Sequence, residues 1–559
     1  MLPLRNVLAL GICAFTAAAG EYVQIRPCKD DTGADGAWRS LSASIEQSRD
    51  YDNTLSLELH RESDDNECRD TGSNFSATLT LDMLGRHSIY HQSGSTSCHS
   101  WTSTLGSTGK YTLYSVQVNL GFLPPLSTFG IQYQIEAHDG PEVGCVQAEI
   151  TPAISTSTSA TLVWLPRGMF IFALLVGLMR GFGGRSHTFA DQTAINLSLP
   201  GVGDLLGYLQ FVFLSGSLSL QYPGFLQPFA SKLSVFSLFT TGPLTRGFVY
   251  QGVSDGIYSI NGTYGGTSGL EHMHQIVGTP NTVGTTWVNM IIAVIVVSAA
   301  AAVFLEAATI LDRYFGRHGS RRAQSAYNLR LAPKLLGILR VVLSYFALPL
   351  SAISFYQLST AQQLPIYHTA FATILILSCM LAFYWLFRQL PFGTAGGLIH
   401  DTPKWYRKQI GRLDRAQNQA ADRLTITIII VLTFVRGAAI GGLQVYGTAQ
   451  LAILAASELC FLVAIRWLKV YPFLSVGTAA PVLRLIVTSL MFCFVPGLLG
   501  NSAKSVVGYA IISLHGSFLL LAFFIPTIFH FARISWRFLP WSQHNVSIVL
   551  RGNQLTDPY

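Results

Sequence analysis

About nine apolar stretches, each long enough to cross a bilayer, occupy roughly the last 400 of the 559 residues. They run over 161–179, 203–220, 286–310, 334–357, 365–387, 424–446, 449–467, 480–499 and 504–530. A helix needs ~20 apolar residues to cross a ~30 Å hydrocarbon core. Inside that core the backbone must satisfy its own polar groups, which makes helix the only form open to such segments. Residues 161–532 are therefore predicted to be a membrane all-α multi-pass bundle of about nine transmembrane helices. Charged residues make up 12% of the chain, against roughly 25% in soluble domains. The formal net charge is +7, but Lys and Arg sit in short loops between apolar runs, with no basic domain carrying interleaved aromatics. That distribution orients helices and excludes a nucleic-acid partner.

The stretches follow a different kind of segment. Residues 1–20 read as a secretory signal: Arg5 is its basic start, Val7 to Phe15 its apolar centre, and Ala17, Ala18 and Ala19 its small-residue cleavage site. Residues 21–152 read as an exported all-β sandwich. Leu55, Leu57 and Leu59 alternate with Ser56, Glu58 and His60, the period-2 pattern of a half-buried strand. Similar runs cover Phe75–Leu84, Tyr111–Leu120, Thr128–Ala137 and Cys145–Ile150, with turns between them that include Ser93–Thr108. Sequons place glycans on Asn74 and Asn261, both expected in surface loops. Residues 153–160 form a Ser/Thr-rich linker, and 533–559 a short tail.

Of the eight cysteines, Cys13 lies in the signal, and Cys379, Cys460 and Cys493 lie in apolar helices as small buried hydrophobes. Cys28, Cys68, Cys98 and Cys145 lie in the exported domain. Four cysteines in an oxidising compartment imply two disulfides, with three connectivities open. Their spacings do not suit zinc.

With the β domain outside, the basic residues collect on one side: Arg180 and Arg185, Arg313–Arg330, Arg388–Arg423, Arg466 and Lys469, Arg533 and Arg537. The opposite loops hold Lys232, Arg246 and Lys504. This positive-inside bias closes with an odd number of spans and puts the C-terminus in the cytosol, in the plasma membrane or the endoplasmic reticulum. Residues 221–285 form a long outer loop whose first part, Gln221–Leu238, is apolar enough to dip into the membrane or lie on it. Residues 404–423 read as a basic amphipathic helix suited to anionic lipid, or else as a solvated connector.

No catalytic motif appears, so an enzyme is not expected, nor a cofactor. His272 and His274 are a weak metal pair at best. The informative groups are ionisable residues inside apolar stretches, which are costly there and face a bundle interior or a water path. Counted along the helices, Arg436 lies roughly 18 Å from the inner face and Glu458 roughly 15 Å from the outer. Both fall near the midplane on consecutive antiparallel helices, so they are predicted to pair. His515 falls at similar depth. These three are the candidates for a transport path, and a purely structural ion pair is the alternative. Glu306, Arg340 and Arg484 lie nearer the cytosolic ends, where they can snorkel. Gly437 and Gly441 permit close helix approach, and Pro349, Pro496 and Pro526 interrupt helices.

Three stretches carry a family likeness: LSLQYPGFLQPFASKLSVFSL (Leu218–Leu238), TFVRGAAIGGLQ (Thr433–Gln444) and VLRLIVTSLMFCFVPGLLG (Val482–Gly500). With the domain order, they resemble the fungal TRP-like family, also described as flavin carriers. In that family a signal peptide and an ML-like sandwich precede a TRP-like membrane region. The chain departs from the family by lacking Trp in Ser231–Phe236 and by its short tail. The resemblance implies a role in calcium or other cation homeostasis, as a channel or regulator, with a lipid- or sterol-sensing ectodomain. A carrier for FAD or another anion is the first alternative, and a lipid-binding scaffold of cell-wall integrity the second. A homo-oligomer is among the assemblies such a protein adopts. From ML-type sandwiches, which commonly tie their ends together, come the disulfide pairs Cys28–Cys145 and Cys68–Cys98, and a lipid cavity between the sheets.

Overall fold

The computed structural model describes residues 22–28, 38–47, 53–63, 74–102, 108–121, 126–137, 142–152, 154–183, 201–239, 269–277, 283–315, 331–361, 366–389, 415–468 and 475–538. The signal segment, Cys68, Asn261 and most of the tail lie outside them. Eight antiparallel strands come first: β1 (Tyr22–Pro27), β2 (Trp38–Gln47), β3 (Asn53–Ser63), β4 (Asn74–Met83), β5 (Arg86–Thr102), β6 (Thr108–Gly121), β7 (Phe129–Ala137) and β8 (Glu142–Thr151). They form one continuous sheet in the order β1-β8-β7-β4-β5-β6-β3-β2, curled into a half-barrel rather than split into two sheets.

The curl is made by β5. Its first half, Arg86–Ser95, pairs with β4, and Ser95–Thr102 pairs with β6. At the changeover a side chain on Gly94 would place Cβ 2.6 Å from the Ser115 carbonyl oxygen and 2.2 Å from the Phe75 ring. Only glycine lets the strand bend there. The stretch Ser93–Thr102, expected as a turn, is thus strand. Its face is polar on both sides, so alternation of apolar residues does not betray it. The inner face carries Leu55, Leu57, Leu59, Leu79, Val118, Ile131, Tyr133, Ile135, Val146 and Ile150, each at most 3% exposed. Burial also raises the pKa of the Tyr133 phenol, Tyr114 adding to the shift.

Cys28 and Cys145 are bonded, with Cα atoms 5.7 Å apart, because Pro27 pairs with Val146 and brings their neighbours opposite. Cys98 is disulfide-bonded too. The Cys28–Cys145 bridge closes 117 residues, so replacing both cysteines by serine should cost the β domain about 4 to 5 kcal/mol on a chain-entropy account. A denaturant titration of the full chain, followed by proteolysis of the β domain, measures this. Asn74 opens strand β4, opposite Ser95, and not a surface loop.

The helices follow: α1 (Thr156–Gly183), α2 (Val202–Ser215), α3 (Leu226–Ser231), α4 (Gly269–Val277), α5 (Val283–Phe315), α6 (Leu331–Ser359), α7 (Ile366–Gln389), α8 (Arg415–Gly442), α9 (Gly447–Trp467), α10 (Val476–Met491), α11 (Asn501–Phe518) and α12 (Ile525–Phe538). Eight of the nine apolar stretches each overlap one of them, and the ninth, 504–530, covers α11 and the start of α12. Among the described residues, five spans are long and apolar enough to cross a membrane by themselves: those starting at Thr156, Ile366, Gly447, Val476 and Asn501. Leu174, Leu175, Phe371, Ile374, Leu377, Leu381 and Phe529 are exposed along them, as a lipid-facing surface requires. The linker expected at 153–160 is already helix from Thr156, started by Ser155, whose hydroxyl accepts from the Thr158 amide at 3.3 Å. Residues 415–423, expected in an amphipathic helix lying on the membrane, are instead the first turns of α8.

After α2, residues 216–239 fold back into the bundle. Leu218, Phe225, Leu226, Leu233 and Phe239 are buried along α3 and a 3-10 turn, Ser234–Ser237. Irregular backbone buried this way has polar groups that need partners, and glutamines supply them. Gln444 Oε1 accepts from the Ser219 hydroxyl at 2.9 Å and the Leu270 amide at 3.1 Å, while its Nε2 donates to the Ser217 carbonyl at 3.1 Å. Gln450 Oε1 accepts from the Ser219 amide at 2.9 Å. Gln227 Nε2 donates to the Gly216 carbonyl at 3.1 Å, and Gln210 Nε2 to the carbonyls of Phe236 at 2.9 Å and Tyr345 at 2.7 Å. Replacing Gln444 by leucine strands several buried groups at about 1 to 3 kcal/mol each. The variant should lose most of its monodisperse fraction on size exclusion.

Candidate functional site: a buried charge cluster

Four helices, α2, α8, α9 and α10, bring four groups together inside the bundle. Glu458 on α9 is the centre, with its side chain 4% exposed. Its Oε1 lies 3.1 Å from Arg436 Nη2 on α8 and 3.1 Å from Arg484 Nε on α10. The predicted Arg436–Glu458 pair is therefore present. Arg484 was expected to snorkel toward the cytosol and does not. Helix α10 begins at Val476, so Arg484 lies roughly two turns inside it and is drawn to the same carboxylate.

Each guanidinium is held in place from another side. Arg436 Nε donates to the Ser457 hydroxyl at 3.1 Å, and its Cζ lies 5.8 Å from the Phe461 ring centre. Arg484 Cζ lies 5.9 Å from the ring centre of Phe211 on α2. Contacts of a cation with a ring face add to the hold once water is excluded. Among the described residues, two guanidinium groups against one carboxylate leave one positive charge in excess. Glu458 Oε2 has no hydrogen-bond partner among the described residues.

His515, the third residue expected at this depth, stands one layer away. Its ring centre is 6.1 Å from that of Phe211, and its Nδ1 shares a 2.8 Å hydrogen bond with the Tyr208 hydroxyl. Phe211 thus separates the histidine from the ion cluster, and Tyr208 is a partner that sequence reasoning missed. The signal was there: Tyr208 and Phe211 lie three residues apart on α2, the spacing that places two side chains on one helix face.

The remaining candidates are elsewhere. Glu306 on α5 is exposed, away from the cluster, and the side chain of Arg340 lies outside the described residues. His272 and His274 do not form a metal pair. Their alternate positions on α4 point them apart, His272 Nδ1 bonding to Gln227 Oε1 at 2.6 Å and the His274 ring stacking on Phe239 at 4.9 Å. No group of three metal-binding side chains occurs among the described residues. Gly437 and Gly441 do bring helices close: a Cβ on Gly437 would stand 2.1 Å from Ser351 Oγ, and one on Gly441 1.8 Å from the Ala352 carbonyl oxygen. No protein-family model, curated protein or solved structure matches the chain.

Proposed function

We propose that this chain is a multi-pass membrane transport protein that carries an anionic solute past Arg436, Arg484 and Glu458. The observation that supports this is the charge count of the cluster. Two arginines share one carboxylate oxygen, so an anion arriving there balances a charge that the protein leaves in excess. A cation arriving there meets a carboxylate already occupied by two guanidinium groups. Of the solutes implied by the resemblance to TRP-like proteins, the geometry therefore favours FAD or another anion over calcium. In this reading the nine apolar helices all span the membrane. The disulfide-bonded β domain lies in the lumen or outside, and the basic loops lie in the cytosol.

Arg484→Gln tests the reading cleanly, because it leaves a neutral Arg436–Glu458 pair and should fold. In proteoliposomes, wild-type protein is expected to carry FAD or a small inorganic anion, and Arg484→Gln to reduce that flux at least about tenfold, the loss of one charge-assisted contact. Calcium flux through wild type, unchanged in Arg484→Gln and unaccompanied by anion flux, would overturn it.

A further inference from the structure

Among the described residues, the β domain touches the bundle at three places, two on the first half of α11 and one beside a residue that stacks on it. The β4–β5 turn, where Leu84 and Gly85 both have left-handed backbones (φ 51° and 83°), brings Gly85 within 3.7 Å of Ser502 Oγ, measured from the position a Cβ would take. The segment before β7, where Leu126 also has positive φ (60°), offers its carbonyl to the Tyr509 hydroxyl at 2.8 Å. Thr128 and Thr151, whose hydroxyls share a buried 2.9 Å bond, press on Gly224, where a Cβ would lie 1.9 Å from Thr151 Oγ1. Next to Gly224, Phe225 stacks on Tyr509 with centroids 4.5 Å apart and planes at 15°. Gly508 makes room for that stack, since a Cβ there would stand 2.9 Å from Phe225 Cζ.

The two leucines, Leu84 and Leu126, held in left-handed conformations at these contact loops are a cost that the interface itself must offset. Roughly two turns further along α11 is His515, bonded to Tyr208. Tyr208 shares its helix with Phe211, which lies against Arg484. Immediately beyond His515 the helix changes to a π-helical turn, Leu519–Phe524, before α12. Pro526, which has no amide hydrogen and crowds the carbonyl four residues back, accounts for that break. A π-helical turn thus lies between the part of α11 gripped by the β domain and α12, while α11 is bonded to α2 beside the charge cluster.

We propose that the β domain sets the geometry of the charge cluster through α11, so that a shift of the domain on its three contacts moves His515 and, through Tyr208 and Phe211, Arg484. The proposal builds on the reading of the cluster as the functional site, but its test needs no solute. Amide hydrogen exchange is measured on the full chain in lipid nanodiscs for wild type, for Gly224→Val, which wedges Thr151 away, and for Tyr509→Phe, which removes one hydrogen bond and keeps the stack. Exchange is expected to rise about tenfold in residues 505–524 and 205–212, with α7 unchanged. A rise confined to the β-domain loops and residues 222–225, or one spread evenly over all helices including α7, overturns the proposal. If Gly224→Val does not fold, Tyr509→Phe alone decides. Propagated exchange in a protein that shows no anion flux would leave this coupling standing and overturn the transport reading instead.

Discussion

Glu458→Gln should be among the most damaging single substitutions in the bundle. It leaves Arg436 and Arg484 close together and buried, with no counter-charge in the cluster, and breaking a buried pair in this way costs about 3 to 5 kcal/mol. The expected result is loss of most of the folded membrane-inserted protein, seen as a collapse of the monodisperse peak and a lowered melting temperature in detergent. The double variant Glu458→Gln with Arg484→Gln removes the repulsion between the two arginines but leaves Arg436 buried without its partner, so folding should recover only in part. Its anion flux should remain low, because the arginine that contacts the solute is still missing. Recovery of full flux in the double variant would assign the cluster a structural role alone. A well-folded Glu458→Gln single variant with normal flux would remove Glu458 from both roles.

The second large effect is expected at Gly441. Its missing side chain faces backbone: a Cβ would stand 1.8 Å from the Ala352 carbonyl oxygen and 2.8 Å from the Tyr356 amide nitrogen. Helices α6 and α8 would have to part to admit even a methyl group, at about 3 kcal/mol or more, the upper range for overpacking. Gly437 differs in degree: the nearest atom to its Cβ is Ser351 Oγ at 2.1 Å, which can rotate, leaving Ser351 Cβ at 2.8 Å and the Ala352 amide nitrogen at 3.2 Å as the limits nearer the backbone. Gly441→Ala should therefore lower the melting temperature more than Gly437→Ala, and Gly441→Leu should abolish folding. Equal effects of the two alanine variants would show that side-chain rotation does not relieve the crowding at Gly437.

Where the signal was local and periodic, the amino-acid sequence led directly to the structure. Leu55, Leu57 and Leu59 alternate because one face of β3 is buried, and the apolar runs from 161 to 530 are long because hydrocarbon tolerates little else. The pairing of Arg436 with Glu458 followed from depth alone, since two consecutive antiparallel helices joined by a short link hold residues of equal depth side by side. The polar strand β5 carried no such period. It packs by hydrogen bonding to β4 and β6 and contributes little to the core, so its residues did not announce it.

Tertiary structure decided what depends on contacts between distant segments. The place of Arg484 was set by where α10 begins and by the attraction of a carboxylate on another helix, and neither is visible in the run Val482–Gly500. The glutamines at 210, 227, 444 and 450 find partners because an irregular segment, buried beside them, leaves carbonyls and amides that only side chains can satisfy. The meeting of the β domain with α11 joins residues 383 positions apart, Leu126 and Tyr509. Burial is imposed by the solvent and written into every apolar residue, so it was legible one segment at a time. A hydrogen bond or an ion pair needs two groups to arrive at one point, and that point exists only once the chain has folded.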